Sequence, residues 1–309
     1  MSAVSQLCRV LCLLLAGRVL AAAPSQAQAA FDRRDYVAAY AGYFSAAGKN
    51  PVAQFFVGLF HQEGWGRPRD RETACRWFEK AAAAGVPAAQ HSWGDCLADG
   101  VGRAPDIARA IESYGRAANG GHLISLCSIA DFHMQARGVP QDAARALALC
   151  SEAAQAQSPP AMLKLAGYYR QLADAALARY WYAEAALRGV ADAQYQLGLM
   201  LAQGEGGAVD ANAALYWLET AAAAGFAAAY LPTARLYASA PVQVATGALA
   251  PEHLAKVYLW TEAARARAPE PAQRIAAQDI EAQVLAVMPP EWRQTLDRQV
   301  AEHLRKFAE

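Results

Sequence analysis

Between residues 191 and 225 the apolar positions run at helical spacing and stop twice. Ala193, Leu197, Met200 and Leu201 fall on one helical face, the i, i+4, i+7, i+8 pattern of an amphipathic helix. Gly204 and Gly206 then break it. Asp210 stands where a helix N-cap is needed to satisfy free backbone N–H groups. A second helical run follows and ends at Gly225, a residue that tolerates the left-handed conformation after a helix. The segment predicts two helices joined by a glycine turn.

The same sentence is written several times. Ala53-Gln54 returns as Ala89-Gln90, 36 residues later, and Gly58, Gly64, Gly66, Asp70, Ala74 and Gly85 return as Gly94, Gly100, Gly102, Asp106, Ala110 and Gly121. The third unit carries Ala130, Gly138, Asp142, Ala146 and Ala153 in register, and the fifth carries Gly198, Gly204, Gly206 and Asp210. The fourth has lost four residues around Leu172-Ala173 and has no loop glycines. The stretches AAAAGVPAAQ (81–90) and AAAAGFAAAY (221–230) lie 140 residues apart, three steps of 36 and one of 32. The units run 50–86, 87–122, 123–158, 159–190, 191–226 and 227–268, the sixth with a loop longer by about seven residues. A bulky aromatic marks one slot of the second half in Trp77, Trp181, Trp217 and Trp260, with Ser113 and Leu149 in its place in units two and three. One helix pair cannot bury its apolar face alone, so the pairs must stack.

AQYQLGLMLAQGEGGAVD followed by ALYWLETAAAAG resembles the Sel-one-like repeat, a relative of the tetratricopeptide repeat. The resemblance covers 50–268. It implies an all-α fold, a right-handed α/α solenoid superhelix of stacked antiparallel helix pairs, and a role in binding and assembly. Units three, four and six depart most from the pattern. The flanks suit such a stack. Segment 30–49 reads as one capping helix, and 269–309 as two, with Ile275, Ile280 and Val284 on the first and Trp292, Leu296, Val300, Leu304 and Phe307 on the second.

Residues 1–29 read as a secretion signal. Arg9 precedes the short apolar run Val10–Gly17, Arg18 interrupts it, and Ala27-Gln28-Ala29 forms an A-x-A pattern with cleavage expected after Ala29. The run is too short to span a bilayer. Neither Cys8 nor Cys12 has the flanks of a lipid-anchoring signal. The reading places the chain in the periplasm or outside the cell. Cleavage would remove Arg9 and Arg18 and no acid, so 28 basic and 28 acidic residues become 26 and 28, a net charge of −2. No Lys/Arg cluster stands out, and this balance argues against nucleic acid.

Cys75, Cys96, Cys127 and Cys150 then remain. In an antiparallel hairpin, residues equidistant from a turn sit at one height. Cys75 and Cys96 centre on the Gly85-Val86 turn, and Cys127 and Cys150 on the Ala136–Pro140 turn. Two disulfides are predicted. The rivals are a zinc site, which needs four convergent ligands, and four buried thiols if export fails.

The sequence has no Ser-x-x-Lys, G-x-S-x-G or H-E-x-x-H motif, and Gly48-Lys49-Asn50 is no phosphate loop. Gly204-Glu205-Gly206-Gly207 is the repeat's turn. His61 and His133 share one repeat slot two units apart, roughly 20 Å at about 10 Å per stacked unit. They cannot share a metal and read as packed, whereas His91, His122, His253 and His303 read as surface residues. No cofactor or metal is expected.

The sequence therefore predicts a non-catalytic protein-interaction scaffold at the cell envelope, with a partner held along the stacked first helices. Ser92, Asp95 and Asp99, and Lys164 and Arg170, are the polar slots expected to face it. The partner would be a protein, including an envelope or membrane protein. The alternative is a module bound to cell-wall glycan or polysaccharide. A β-lactam hydrolase is the remaining, weaker reading, since exported cysteine-rich relatives have been linked to β-lactams.

Overall fold

The computed structural model describes residues 24–244, 248–267 and 270–307. The leader's basic and apolar positions lie outside them. The chain divides into two compact units, Met1–Ala161 and Met162–Glu309. The described residues form helices and no strand.

The first unit contains α1 (Ser25–Asp32), α2 (Tyr36–Ala46), α3 (Pro51–Glu63), α4 (Arg71–Ala83), α5 (Pro87–Asp99), α6 (Ile107–Asn119), α7 (Ile124–Met134) and α8 (Ala143–Gln155). Helix α9 (Pro159–Gln171) leads into the second unit, which holds α10 (Ala175–Leu187), α11 (Ala191–Gln203), α12 (Ala211–Ala223), α13 (Tyr230–Ala238), α14 (Pro251–Arg267), α15 (Pro271–Val287) and α16 (Arg293–Lys306). Within each unit helices pack on their neighbours in sequence, and the most extensive contacts join the two helices of a repeat, in repeats one, two, three, five and six. The architecture is an α/α solenoid of consecutive antiparallel pairs. The N-terminal cap differs from the single helix expected over 30–49: α1 and α2 form a hairpin, because Arg34 takes the left-handed conformation (φ 61°) and turns the chain.

The repeated residues each have a physical task. Asp35, Asp70, Asp106, Asp142, Asp174 and Asp210 cap their helices, each accepting from the backbone N–H three residues on, at 2.8–3.1 Å. Four of them also anchor the loop by donating their own N–H to a carbonyl nine residues back, as Asp210 does to Leu201. In the shortened fourth unit Asp174 reaches only five residues back, to Tyr169. The loop loses four residues there and keeps its anchor.

Glycine marks two kinds of close approach. Gly94 and Gly198 lie against Tyr114 and Leu218, twenty residues on, where an added Cβ would come within 2.7 and 2.6 Å. In unit three the equivalent residue is Ala130, and twenty residues on stands the smaller Cys150. The second loop glycine contacts the preceding repeat: a Cβ on Gly206 would lie 2.2 Å from the Ala175 carbonyl oxygen.

The two predicted cystine pairs are formed. Cys75–Cys96 has its Cα atoms 5.9 Å apart and joins the second helix of one repeat to the first of the next. Cys127–Cys150, at 4.5 Å, joins the two helices of unit three. All four are buried. In the loop-entropy account each bridge stabilises by about 3 kcal/mol.

Candidate functional site

The first helices of repeats two and three, α5 and α7, carry a polar cluster in the first unit. A cleft of about 260 Å³ opens there, lined by Asp95, Asp99, Asp131, Ser128, Gln135 and Arg137 over the rings of Tyr114 and Phe132. Their i, i+4 spacing places Asp95 and Asp99 on one face of α5, and α6 supplies Tyr114 from behind.

Hydrogen bonds fix these groups. The Tyr114 hydroxyl donates to Asp95 Oδ1 at 2.6 Å. Asp99 Oδ2 accepts from Arg71 Nη2 at 2.7 Å, and its Oδ1 lies 3.7 Å from Arg137 Nη2. Arg137 also donates to the Ala98 carbonyl, and its guanidinium lies 5.5 Å from the Phe132 ring centre. Asp99 thus links repeats one, two and three. These ion pairs are exposed, so each is worth under about 1 kcal/mol. They fix side-chain position more than they stabilise.

Crowding by the cleft walls pushes the Asp95 carboxyl up to about 6, and the Tyr114 hydrogen bond pulls the other way. Half of the side chain, 51%, still meets water, which tempers that rise. Burial, then the adjoining Asp95 carboxylate, raises the Tyr114 phenol above its ordinary value.

Behind Asp95 lies a group that the sequence did not reveal. His91 Nδ1 and His122 Nδ1 both lie 2.9 Å from Ser125 Oγ, and the two imidazole centres are 4.6 Å apart. One hydroxyl proton cannot serve both rings, so at least one imidazole carries its own proton on Nδ1. Burial lowers each to about 4, and His91 further lowers His122. Both are neutral at pH 7. His91 Nε2 is 3.7 Å from Asp95 Oδ2, which completes a Ser–His–Asp arrangement in outline. Ser125 is 0% exposed, so its hydroxyl cannot meet a substrate; it serves as a bridge between the two rings.

The expectation of surface histidines is corrected here. His91, His122, His253 and His303 are all partly buried. His303 Nε2 lies 3.1 Å from the Tyr230 hydroxyl, and His253 packs on Tyr237. The burying groups are distant in sequence, in the partner helix of the same repeat for His91 and His253 and in unit six for His303. The slot partners His61 and His133 also differ. His61 packs on Tyr40 and lies 3.0 Å from Arg67 Nη1, while His133 faces the Pro140 carbonyl at 3.4 Å.

The remaining expected residues fall elsewhere. Ser92 lies beside His91 on α5, half-buried. Lys164 and Arg170 are exposed on α9. Arg170 is engaged within the fold: it donates to both Glu205 carboxylate oxygens at 3.2 and 3.3 Å and to Gln196 Oε1 at 2.9 Å, so it ties repeat four to repeat five. A second concavity, about 310 Å³, lies among α14, α15 and α16. Arg265 sits between Glu262 and Glu281 there, and Tyr258 donates to Asp297. These groups satisfy one another.

Among the described residues no three His, Cys, Asp or Glu side chains are placed to hold a metal ion. No helix among them is long and apolar enough to cross a membrane.

The Sel1 repeat family model matches residues 51–86, 87–122, 124–158, 159–190 and 191–226, more than half of the chain. The chain belongs to the Sel1 repeat family. Proteins of this family generally mediate protein–protein interaction. A Sel1 repeat protein of Oxalobacter formigenes has a similar structure, with a TM-score of 0.60 at 25% identity over 78% of this chain and 98% of that one. A protective antigen of uropathogenic Escherichia coli with an SLR fold gives a TM-score of 0.61 at 22% identity, covering 89% of this chain and 58% of that one. By sequence, an exopolysaccharide production negative regulator of Rhizobium meliloti is 44% identical over 77 residues, 22% of this chain and 29% of the regulator. The Sel1 chain thus spans under a third of that regulator's length.

Proposed function

We propose that this protein is a non-catalytic scaffold of the cell envelope that holds a protein partner on the α5–α7 face of its first unit. The single observation that carries the proposal is the cleft in the Sel1 array where Asp95, Asp99 and Asp131 stand at the open edge of two aromatic rings. Side chains there are held in place before any partner arrives, which lowers the entropy lost on binding. The two buried cystines fit an oxidising compartment and support export to the periplasm or beyond. Lys164 on α9 is a separate, exposed contact candidate. Arg170 drops to a supporting role, since its guanidinium already binds Glu205 and Gln196.

The direct test is photo-crosslinking in the native host from a probe at Gln135, an exposed position on the cleft, compared with the variant Ser128→Arg. A protein adduct that recurs with the probe and is lost in the variant supports the reading. The likeness to an exopolysaccharide regulator favours one second reading, a role in envelope-polymer production. In that case the retained material is glycan, or the captured protein belongs to the polymer-export machinery.

A further inference from the structure

Helix α1 lies across the cleavage position that the A-x-A pattern at 27–29 suggests, and its packing argues against that cut. Ala27 is 2% exposed and Ala30 5%. Gly42 on α2 has no side chain because Ala27 occupies that space: a Cβ there would come within 2.8 Å of the Ala27 Cβ. Tyr43, 0% exposed, donates its hydroxyl to Gln28 Oε1 at 2.8 Å. The first turn reaches back to Pro24, whose carbonyl accepts from the Gln28 N–H at 3.0 Å.

Cleavage after Ala29 would remove Ala27 and Gln28 together. Only Ala30, Phe31 and Asp32 of α1 would remain, too few to hold a helical turn. The new α-ammonium would sit on Ala30, in an apolar setting where an unpaired charge is costly. The Tyr43 hydroxyl would lose a partner, and the face of α2 at Gly42 would open.

A second small-residue run, Ala21-Ala22-Ala23, ends just before Pro24 and itself forms an A-x-A pattern, while cuts after Ala21 or Ala22 keep alanine at the inner position. We infer that maturation spares α1: the leader is cut after Ala21, Ala22 or Ala23, and Gln28 remains on the mature chain as the acceptor for Tyr43. This rests on the export reading above. It makes α1 a structural part of the mature cap and moves the processing site upstream of Pro24.

The test is the intact mass of C-terminally tagged protein purified from the native host after fractionation. A first residue at 22, 23 or 24 is expected. An envelope-fraction protein starting at Ala30 overturns this inference and leaves export standing. An uncleaved chain confined to the cytoplasm overturns both. A second measurement does not depend on export: chains made to begin at Pro24 and at Ala30 are melted side by side. The Ala30 chain should melt lower by about 5 °C or more, or fail to fold. Equal melting temperatures would show that α1 is dispensable and sink the structural argument.

Discussion

The Tyr114 hydroxyl and the Asp95 carboxylate meet at 2.6 Å across the helix pair of repeat two, and the imidazole of His91 lies against the Tyr114 ring at 5.2 Å between centres. Three titratable groups therefore share one packed seam. The two histidines, His91 and His122, titrate near 6.5 when unfolded and about 4 when folded. Their contribution to stability is complete above pH 6.5 and is lost as pH falls toward 4. Asp95 runs the other way: with a folded value of about 6 against 3.8, its ionisation opposes folding, and protonation below pH 6 gives back part of what the histidines lose. Denaturant melts from pH 7 to pH 4 should show a net loss on the order of 3–4 kcal/mol. The double variant His91→Gln, His122→Gln should abolish that loss and leave only the weaker, opposite slope of Asp95. An unchanged slope would mean that the histidines are not shielded as described.

Gly206 and Gly189 both take positive φ, 75° and 80°, but only Gly206 presses on a neighbouring backbone. Gly189→Ala should cost about 1 kcal/mol, the conformational penalty alone. Gly206→Ala should cost on the order of 3 kcal/mol, because the Ala175 carbonyl must move. Equal losses in chemical denaturation would contradict the close inter-repeat contact.

Unit three supplies the converse experiment. Ala136 and Gln157 adopt φ of 54° and 65°, in the slots held by Gly64 and Gly85 in unit one. Ala136→Gly should stabilise by roughly 0.5–1 kcal/mol, raising the urea midpoint. A lowered midpoint would show that the left-handed turn is not the strained element.

Both cystines lie in the first unit. Reduction should raise amide hydrogen exchange across 71–155 and leave 191–267 near its oxidised level. Uniform acceleration over both stretches would mean that the bridges stabilise the whole chain as one cooperative body.

These outcomes also mark where sequence carried the account. The helix pairs, the Asp caps and both cystine partners were legible because each depends on spacing along the chain: Asp210 precedes its helix, and Cys75 and Cys96 are symmetric about a turn. The α1–α2 hairpin was missed because its turn uses Arg34 instead of glycine, and because the A-x-A pattern drew the same residues into the leader. The His91–Ser125–His122 group was missed because it brings together residues up to 34 positions apart. Nothing in the periodicity says which polar residues of neighbouring repeats will touch. Arg170 stood out as a polar residue on the first-helix pattern, but its partner Glu205 sits in the next repeat's turn.

The central claim is that a protein partner sits on the α5–α7 face. Site-specific photo-crosslinking in the native host tests it most directly, with probes at Gln135 on the cleft and at Tyr216, an exposed residue of α12. The account predicts one recurring protein adduct from Gln135, absent from Tyr216 and lost with Ser128→Arg. Adducts at Tyr216 but not at Gln135, or only glycan retained from either probe, would contradict it.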